Sequence, residues 1–185
     1  MVDRKGRVCP VARSRGLDNW FRRRLQNPRR LLAPYVREGM TVLDFGCGPG
    51  FCTLDLARMV GPSGRVIATD LQEGMLQKLR AKLRGNEFEA RITLHQCQPN
   101  GVGLMQLVDF VLALYVLHEL PDQRAFFAEV QTILRPQGQL LVVEPPIHVS
   151  RKAFEATIGL AQEAGLALAG RPRVPFNKTA LFRRL

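Results

Sequence analysis

From residue 41 onward, short apolar runs alternate with stretches whose apolar residues follow helical spacing. Continuous apolar runs of about five residues are typical of strands buried on both faces, as in parallel sheets. The runs that predict strands are TVLDF (41–45), RVIATD (65–70), ITLHQ (92–96), VDFVLALYVL (108–117) and GQLLVVE (138–144). Regular alternation of strand and helix predicts an open, mostly parallel sheet with helices on both faces, an α/β fold.

Helices and two weaker strands complete the predicted order. The predicted helices cover residues 51–60, the apolar stripe of Met75, Leu76, Leu79 and Leu83, and a stretch marked by Phe126, Phe127, Val130, Ile133 and Leu134 that the turn RPQG closes. Ser150 is a good N-cap for a further helix that stops at Gly165. Weaker strands are expected around 166–170 and 179–184. Pro28 is expected to open a short helix near the N-terminus.

Chain length and composition favour a single globular domain. The chain has 185 residues, enough for one core, and its composition of 46% hydrophobic and 23% charged residues is ordinary for a folded protein. No run approaches the roughly 20 apolar residues that span a bilayer. The N-terminus lacks the apolar segment of a secretory signal, so we expect a cytoplasmic protein. A basic arm with cover helices is expected over 1–37 and the main domain over 38–185.

The net charge of +11 belongs to the two ends of the chain. Residues 1–37 carry +9 and residues 151–185 carry +5, whereas residues 38–150 carry −3. Basic surfaces attract phosphate groups and anionic small molecules, and they also occur as plain solvated faces. The charge pattern alone therefore leaves the kind of partner open.

Three glycines follow the first predicted strand at every second position, in the segment VLDFGCGPGF (42–51). Ligands of open α/β sheets bind at this place, and glycine lets the backbone turn sharply and approach them closely. The GxGxG spacing of Gly46, Gly48 and Gly50 differs from the GxGxxG that is typical of nicotinamide cofactors. The neighbouring Asp44 carboxylate is poorly placed for a pyrophosphate and suits a ligand with a positive group.

A second acid, Asp70, ends the next predicted strand. An acid at this position accepts hydrogen bonds from the hydroxyls of an unphosphorylated ribose. Together with Asp44, it predicts a nucleoside that carries a cationic arm without phosphate. S-adenosylmethionine (SAM), with its ribose, ammonium and sulfonium, fits this description.

The sequence resembles the class I SAM-dependent methyltransferases, in particular the small type-11 group that is similar to ubiquinone and arsenite methyltransferases. Four segments carry the resemblance in order: VLDFGCGPGF, RVIATDLQEGML, VDFVLALYVLHELPD and LRPQGQLLVVEP. It covers residues 36–146 and extends to the C-terminal NKTALFRRL. It implies a doubly wound, Rossmann-like sheet of seven strands with the last strand antiparallel, and a reaction that leaves S-adenosylhomocysteine.

The resemblance also implies cofactor contacts. Those for the methionine moiety and the closing of the loop are Asp44, Gly46, Cys47, Gly48, Gly50 and Phe51. Those for the ribose and adenine are Asp70, Leu71, Met75, Cys97 and Gln98. Gln98 stands near where the group commonly has an acid that reads the adenine amine. Leu114 and Tyr115, at the end of the fourth strand, would lie near the transferred methyl group.

Methyl transfer from a sulfonium is an in-line displacement, so holding the two reactants together supplies much of the rate. A general base is needed only when the acceptor atom carries a proton of unsuitable pKa. His118 and Glu119 follow the fourth predicted strand, and Glu144 and His148 end or follow the fifth. Tyr115, His118 and His148 are therefore candidate catalytic residues, with locally bonded loop histidines as the alternative.

We expect a small-molecule acceptor, and the basic ends suit an anionic one. The chain has little insertion for a substrate domain, and the NPPY-type motif of base-amine methyltransferases is missing from it. Methylation of RNA or protein through the basic ends and a non-catalytic SAM-binding subunit are the alternatives. The cysteines, Cys9, Cys47, Cys52 and Cys97, form no CxxC pair. No metal site is expected, and capture of a soft metalloid substrate is an alternative to plain buried thiols.

Overall fold

The computed structural model describes residues 27–99 and 101–185. Its helices are α1 (Pro28–Leu32), α2 (Thr53–Met59), α3 (Glu73–Leu83), α4 (Gln123–Ile133) and α5 (Arg151–Glu163). Its strands are β1 (Thr41–Phe45), β2 (Arg65–Asp70), β3 (Ile92–Gln96), β4 (Val108–Leu114), β5 (Leu134–Glu144), β6 (Leu166–Gly170) and β7 (Lys178–Arg184). Short 3-10 turns occur at Glu89–Arg91 and Leu117–Glu119.

The strands form one sheet in the order β3-β2-β1-β4-β5-β7-β6. Parallel pairing joins β3 through β5, and β7 runs antiparallel to both of its neighbours. The order of the strands reverses between β1 and β4, and the carboxyl ends of the strands open a crevice at that point. The predicted doubly wound sheet with an antiparallel last strand is confirmed.

Both faces of the sheet are covered because neighbouring strand residues point to opposite sides. Val42 belongs to a cluster with Leu32 of α1 and Leu56 of α2. Leu43, the next residue, belongs to the cluster that contains Phe126 of α4 and Phe154 and Ile158 of α5. Burial on both faces explains why the central strands are continuous apolar runs rather than alternating ones.

Two predicted helix starts are confirmed. Pro28 is at the first position of α1, and the Asn27 side chain accepts a hydrogen bond from the backbone N–H of Arg30 (3.2 Å). The Ser150 hydroxyl accepts one from the N–H of Ala153 (3.1 Å) and caps α5. Both caps satisfy donors that a helix start leaves unpaired.

Two predicted strand boundaries are wrong. β4 ends at Leu114 rather than at 117, because Tyr115 has a left-handed backbone with φ of +60° that does not continue a strand. β5 begins at Leu134 rather than at 138, and its pairing with β4 shifts register between Val108 and Phe110. The predicted turn RPQG therefore lies within this irregular strand.

Residues 1–26 of the predicted basic arm and cover helices (1–37) lie outside the described residues. The division into an N-terminal part (1–37) and a main domain (38–185) therefore stays a prediction. Among the described helices, none is both long enough and apolar enough to cross a membrane.

Glu129 of α4 anchors the connection between β3 and β4. Its carboxylate accepts hydrogen bonds from the backbone N–H groups of Val102 (2.5 Å), Gly103 (2.5 Å) and Leu104 (3.2 Å). One helix side chain thus fixes a loop whose first residues line the cavity described below.

We predict that Glu129→Ala lowers the free energy of unfolding by about 2–3 kcal/mol, because each hydrogen bond to a charged acceptor contributes on the order of 1.5–3 kcal/mol and water replaces part of it. Urea denaturation measures this loss. Thr132→Ala is the matched control on the same helix, because the exposed Thr132 hydroxyl bonds only to the carbonyl of Glu129 (2.7 Å). Equal, small losses in the two variants would contradict the anchoring role of the carboxylate.

Candidate functional site

A cavity of about 350 Å³ opens where β1, β2 and β4 end. The predicted site residues that line it are Asp44, Gly46, Cys47, Gly48, Phe51, Asp70, Leu71, Met75, Cys97, Gln98, Leu114, Tyr115 and His148. Gly50 and His118 are not part of its lining. Most of the predicted residues are thus brought together around one cavity, although they come from five separate segments of the chain.

The glycines after β1 all have positive φ, but the space around Gly48 differs from that around Gly46 and Gly50. A Cβ on Gly46 (φ +69°) would lie 2.5 Å from a methyl carbon of Val116, and a Cβ on Gly50 (φ +90°) would lie 2.5 Å from Leu79 of α3. A Cβ on Gly48 (φ +54°) would meet nothing within 4 Å. Gly46 and Gly50 therefore permit internal packing, whereas Gly48 lines the cavity and has open space at the position of a Cβ.

Asp44 places a desolvated carboxylate at the end of β1. Its side chain is buried, and it accepts a hydrogen bond from the hydroxyl of Thr53 at the start of α2 (2.7 Å). Burial raises the pKa of Asp44 to about 6, the Thr53 hydrogen bond lowers it, and the nearby Asp70 adds a smaller upward contribution. A cation in the cavity would favour the charged form of this group and lower its pKa.

Asp70 uses both carboxylate oxygens to tie two loops together. One oxygen accepts a hydrogen bond from the N–H of Gly48 (3.0 Å) and the other from the N–H of Gln72 (2.8 Å). Burial raises the pKa of Asp70, and these two hydrogen bonds lower it. Because each carboxylate oxygen accepts more than one hydrogen bond, Asp70 retains capacity for hydroxyl groups of a ligand.

The predicted adenine side of the cavity is formed by Leu71, Met75, Cys97 and Gln98. Met75 of α3 is almost fully buried, and the backbone of Gln98 forms a bridge with Gly101. The Gln98 side chain is exposed and lines the cavity without a polar partner among residues 27–99 and 101–185. A flat ring would thus meet apolar surface with one amide at its edge.

The described cysteines, Cys47, Cys52 and Cys97, are reduced and buried, and all of them line the cavity. Burial raises the pKa of Cys97 to about 12 and raises the pKa of Cys47 well above its ordinary value, and the carboxylate of Asp70 adds to both shifts. The Cys47 and Cys97 thiols are therefore protonated at neutral pH, whereas the thiolate is the nucleophile and metal ligand. Their state favours a packing role over capture of a soft metalloid.

The two candidate histidines, His118 and His148, follow the neighbouring strands β4 and β5. The Nδ1 of His118 lies 2.5 Å from the buried Glu144 carboxylate, which also accepts the backbone N–H of His118 (3.2 Å). The His118 Nε2 is buried and has no hydrogen-bond partner among the described residues. Its ring lies parallel to that of His148, with 6.0 Å between the ring centres. Only His148 lines the cavity.

Tyr115 is held in its left-handed conformation from both ends. Its N–H bonds to the carbonyl of Val143 (2.8 Å), and its hydroxyl donates to the side chain of Asn177. Sequence reasoning missed Asn177, and no local pattern marks it, because it lies far from Tyr115 in the chain. Thr53 was also missed, although a hydroxyl residue at the start of a helix beside a glycine loop is a usable signal.

Residues 36–165 match the family described as "Methyltransferase domain", in agreement with the fold and with the position of the cavity at the switch point of the sheet. The chain belongs to that family, which confirms the family prediction. Over 96% of this chain and 100% of the other, it superimposes on a SAM dependent methyltransferase from Aquifex aeolicus with a TM-score of 0.87 and 25% identity.

Curated relatives are similar over the same region. The demethylmenaquinone methyltransferase of Lactococcus lactis is 35% identical over 123 residues, which is 63% of this chain and 48% of that protein. A ubiquinone/menaquinone biosynthesis C-methyltransferase of Enterobacter sp. is 32% identical over 125 residues, which is 65% of this chain and 50% of that protein. The chain thus spans about half the length of the curated relatives it matches.

The geometry of the glycine loop predicts that Gly48→Ala mainly affects ligand binding and that Gly50→Ala mainly affects stability. Gly48→Ala should cost only about 1 kcal/mol of stability, for the left-handed backbone, but should weaken SAM binding at least tenfold because the new methyl group enters the cavity. Gly50→Ala should lower stability more, because its Cβ collides with Leu79. Thermal melts and calorimetric titration measure both effects. Normal SAM binding by a folded Gly48→Ala variant would show that this glycine does not face the ligand.

Proposed function

We propose that the protein transfers a methyl group from SAM to a small-molecule acceptor. The observation that carries the proposal is the single cavity in which the glycine loop, Asp44 and Asp70 converge. No described Lys or Arg lines it, so it suits a cation better than a pyrophosphate. Membership of the methyltransferase family and the fold shared with the Aquifex protein support SAM as the cofactor.

Different residues of the cavity contact different parts of SAM in this proposal. Asp44 attracts the cationic methionine arm of SAM, while the backbone at Gly46, Cys47 and Gly48 lies against it. Asp70 accepts the ribose hydroxyls, and Met75 packs against the adenine. These roles agree with the burial and charge of each group. Binding in this way holds the sulfonium methyl group near Leu114 and Tyr115 at the end of β4.

Catalysis then depends mainly on position. A displacement at a sulfonium methyl group needs the acceptor atom in line with the departing sulfur, and orientation of this kind is worth up to roughly 7–11 kcal/mol in well-organised reactions. Where the acceptor carries a proton, His148 is the candidate proton acceptor because its ring lines the cavity. The Glu144 carboxylate holds His118 in place beside it.

The names of the curated relatives support a small organic acceptor, since they describe methyltransferases of quinone biosynthesis. The alternative of RNA or protein methylation was based on the basic ends, and residues 1–26 of the N-terminal end lie outside the described residues.

Incubation with labelled SAM and separate small-molecule, RNA and protein fractions distinguishes the acceptor classes. Label in the small-molecule fraction alone is expected, and SAM binding without any transfer would favour the non-catalytic alternative. A cytoplasmic location stays a prediction.

Calorimetric titration with SAM, S-adenosylhomocysteine and NADH tests the cofactor. We predict micromolar binding of the first two and none of NADH, with at least tenfold weaker binding in Asp70→Ala. Because Asp70 also holds the Gly48 loop, the 2′-deoxyribose form of S-adenosylhomocysteine is the matched control. The missing hydroxyl should weaken binding to the wild type but not to Asp70→Ala. A deoxy effect of the same size in both proteins would mean that Asp70 does not contact the ribose.

The pKa of Asp44 near 6 predicts a pH dependence of SAM affinity. A bound cation favours the carboxylate, so binding is strongest above pH 6 and weakens as the group is protonated below it. Between pH 7 and pH 5, the Kd for SAM should rise about tenfold, as expected for protonation of one group of this pKa. Adenosine, which lacks the cationic arm, should show a much smaller change. A pH dependence of SAM binding that persists in Asp44→Asn would assign it to another group.

A further inference from the structure

A second cavity, of about 370 Å³, lies directly beside the first. The two cavities share the lining residues Phe51, Leu114 and Tyr115, so they adjoin at these side chains. The rest of the second cavity is built from α1 and its flanks, from β5, and from the connection between β6 and β7. The end of β4, where the methyl group is proposed to lie, thus faces both cavities.

The two cavities carry opposite charges. Among the described residues, the acids that line the first cavity are Asp44, Asp70 and Glu119, and no Lys or Arg joins them. The second cavity is lined by Arg30 and Arg173 and by no described Asp or Glu. The donor cavity is therefore suited to a cation and its neighbour to an anion.

The charges of Arg30 and Arg173 are not neutralised by the described part of the chain, because no ion pair or side-chain hydrogen bond involves either guanidinium there. Their close sequence neighbours differ. Arg29 pairs with Asp55 at 2.9 Å, and Arg171 makes two hydrogen bonds to Glu155 at 2.6 and 2.7 Å. Unpaired guanidinium groups at the edge of a cavity are suited to carboxylate and phosphate groups, which they bind with two parallel hydrogen bonds.

The remaining wall suits a flat apolar body. Tyr35 lines the second cavity, and its ring lies parallel to that of the buried Phe110, with 5.8 Å between the ring centroids. The core therefore fixes the orientation of Tyr35. Tyr115 lies at the boundary with the first cavity, and its hydroxyl bonds to Asn177. Pro172 and Pro175 add rigid apolar surface.

We propose that the second cavity binds the methyl acceptor, and that the acceptor is a small organic anion with a flat apolar body and one acidic group held by Arg30 and Arg173. This inference rests on the proposed function. The acceptor atom supplies the electron pair for its new bond to the methyl carbon, and the pair of the broken S–CH3 bond stays on sulfur. Any proton on the acceptor atom leaves to His148 or to water.

Binding of matched probes to the full-length protein loaded with S-adenosylhomocysteine tests the proposal. The probes are 2-naphthoate, its neutral isostere 2-naphthamide, and 2-naphthyl phosphate, titrated by calorimetry. At least one of the two anions should bind tenfold or more tightly than the amide. The stronger anion identifies a carboxylate or a phosphate as the natural acidic group.

The test variant is Arg30→Gln/Arg173→Gln, and the control is Arg29→Gln/Arg171→Gln, which removes two charges from the same segments. The test variant should lose the preference for anions and bind S-adenosylhomocysteine with a Kd within twofold of the wild type. The control should keep the preference, and thermal melts verify that each variant is folded. Arg173→Glu alone should reverse the preference, which separates local charge from a general loss of structure.

Three results overturn the inference: no probe binds, the anions and the amide bind equally to the wild type, or both double variants lose the preference to the same extent. In each case, intact binding of S-adenosylhomocysteine leaves the proposed methyl transfer standing. Loss of that binding in the wild type would instead contradict the proposed function itself.

Discussion

The carboxylate of Asp70 is the interaction on which the cofactor cavity depends. It bonds to the N–H of Gly48 after β1 and to the N–H of Gln72 after β2, so one side chain sets the spacing of two loops at the switch point of the sheet. Both loops would otherwise leave donors unpaired beside the cavity. Gly48 makes this hydrogen bond with a left-handed backbone, a conformation that glycine adopts without the cost of a Cβ.

The two adjoining cavities carry opposite charges, and this difference relates the proposed donor site to the proposed acceptor site. Carboxylates line the first cavity, and guanidinium groups line the second. Phe51, Leu114 and Tyr115 line both cavities. A cationic donor would be attracted to the first cavity and an anionic acceptor to the second, and their mutual attraction would bring them together where the cavities adjoin. The same separation appears along the chain, where the middle segment is acidic and both ends are basic.

What could be predicted from the sequence was local. Asp44, Gly48 and Asp70 could be predicted as cavity residues because they lie at or just after the ends of predicted parallel strands. The carboxyl ends of such strands meet at one edge of the sheet. The Glu129 anchor and the Asn177 partner of Tyr115 could not be found in this way. Each depends on contacts between segments that are distant in the chain, and the residue type at one end says nothing about the other. The internal role of Gly50 was missed for the same reason, since Leu79 belongs to the next helix.

Tyr115 shows how the fold joins these parts. A left-handed backbone at a non-glycine residue costs on the order of 1–3 kcal/mol and persists only where neighbouring contacts enforce it. Here the N–H bond to Val143 and the hydroxyl bond to Asn177 enforce it, and this residue directly follows β4 where the two cavities adjoin. Asn177 belongs to the same connection as Arg173. An anion bound to Arg173 would therefore also help to hold the position of Tyr115, beside which the methyl group is proposed to lie.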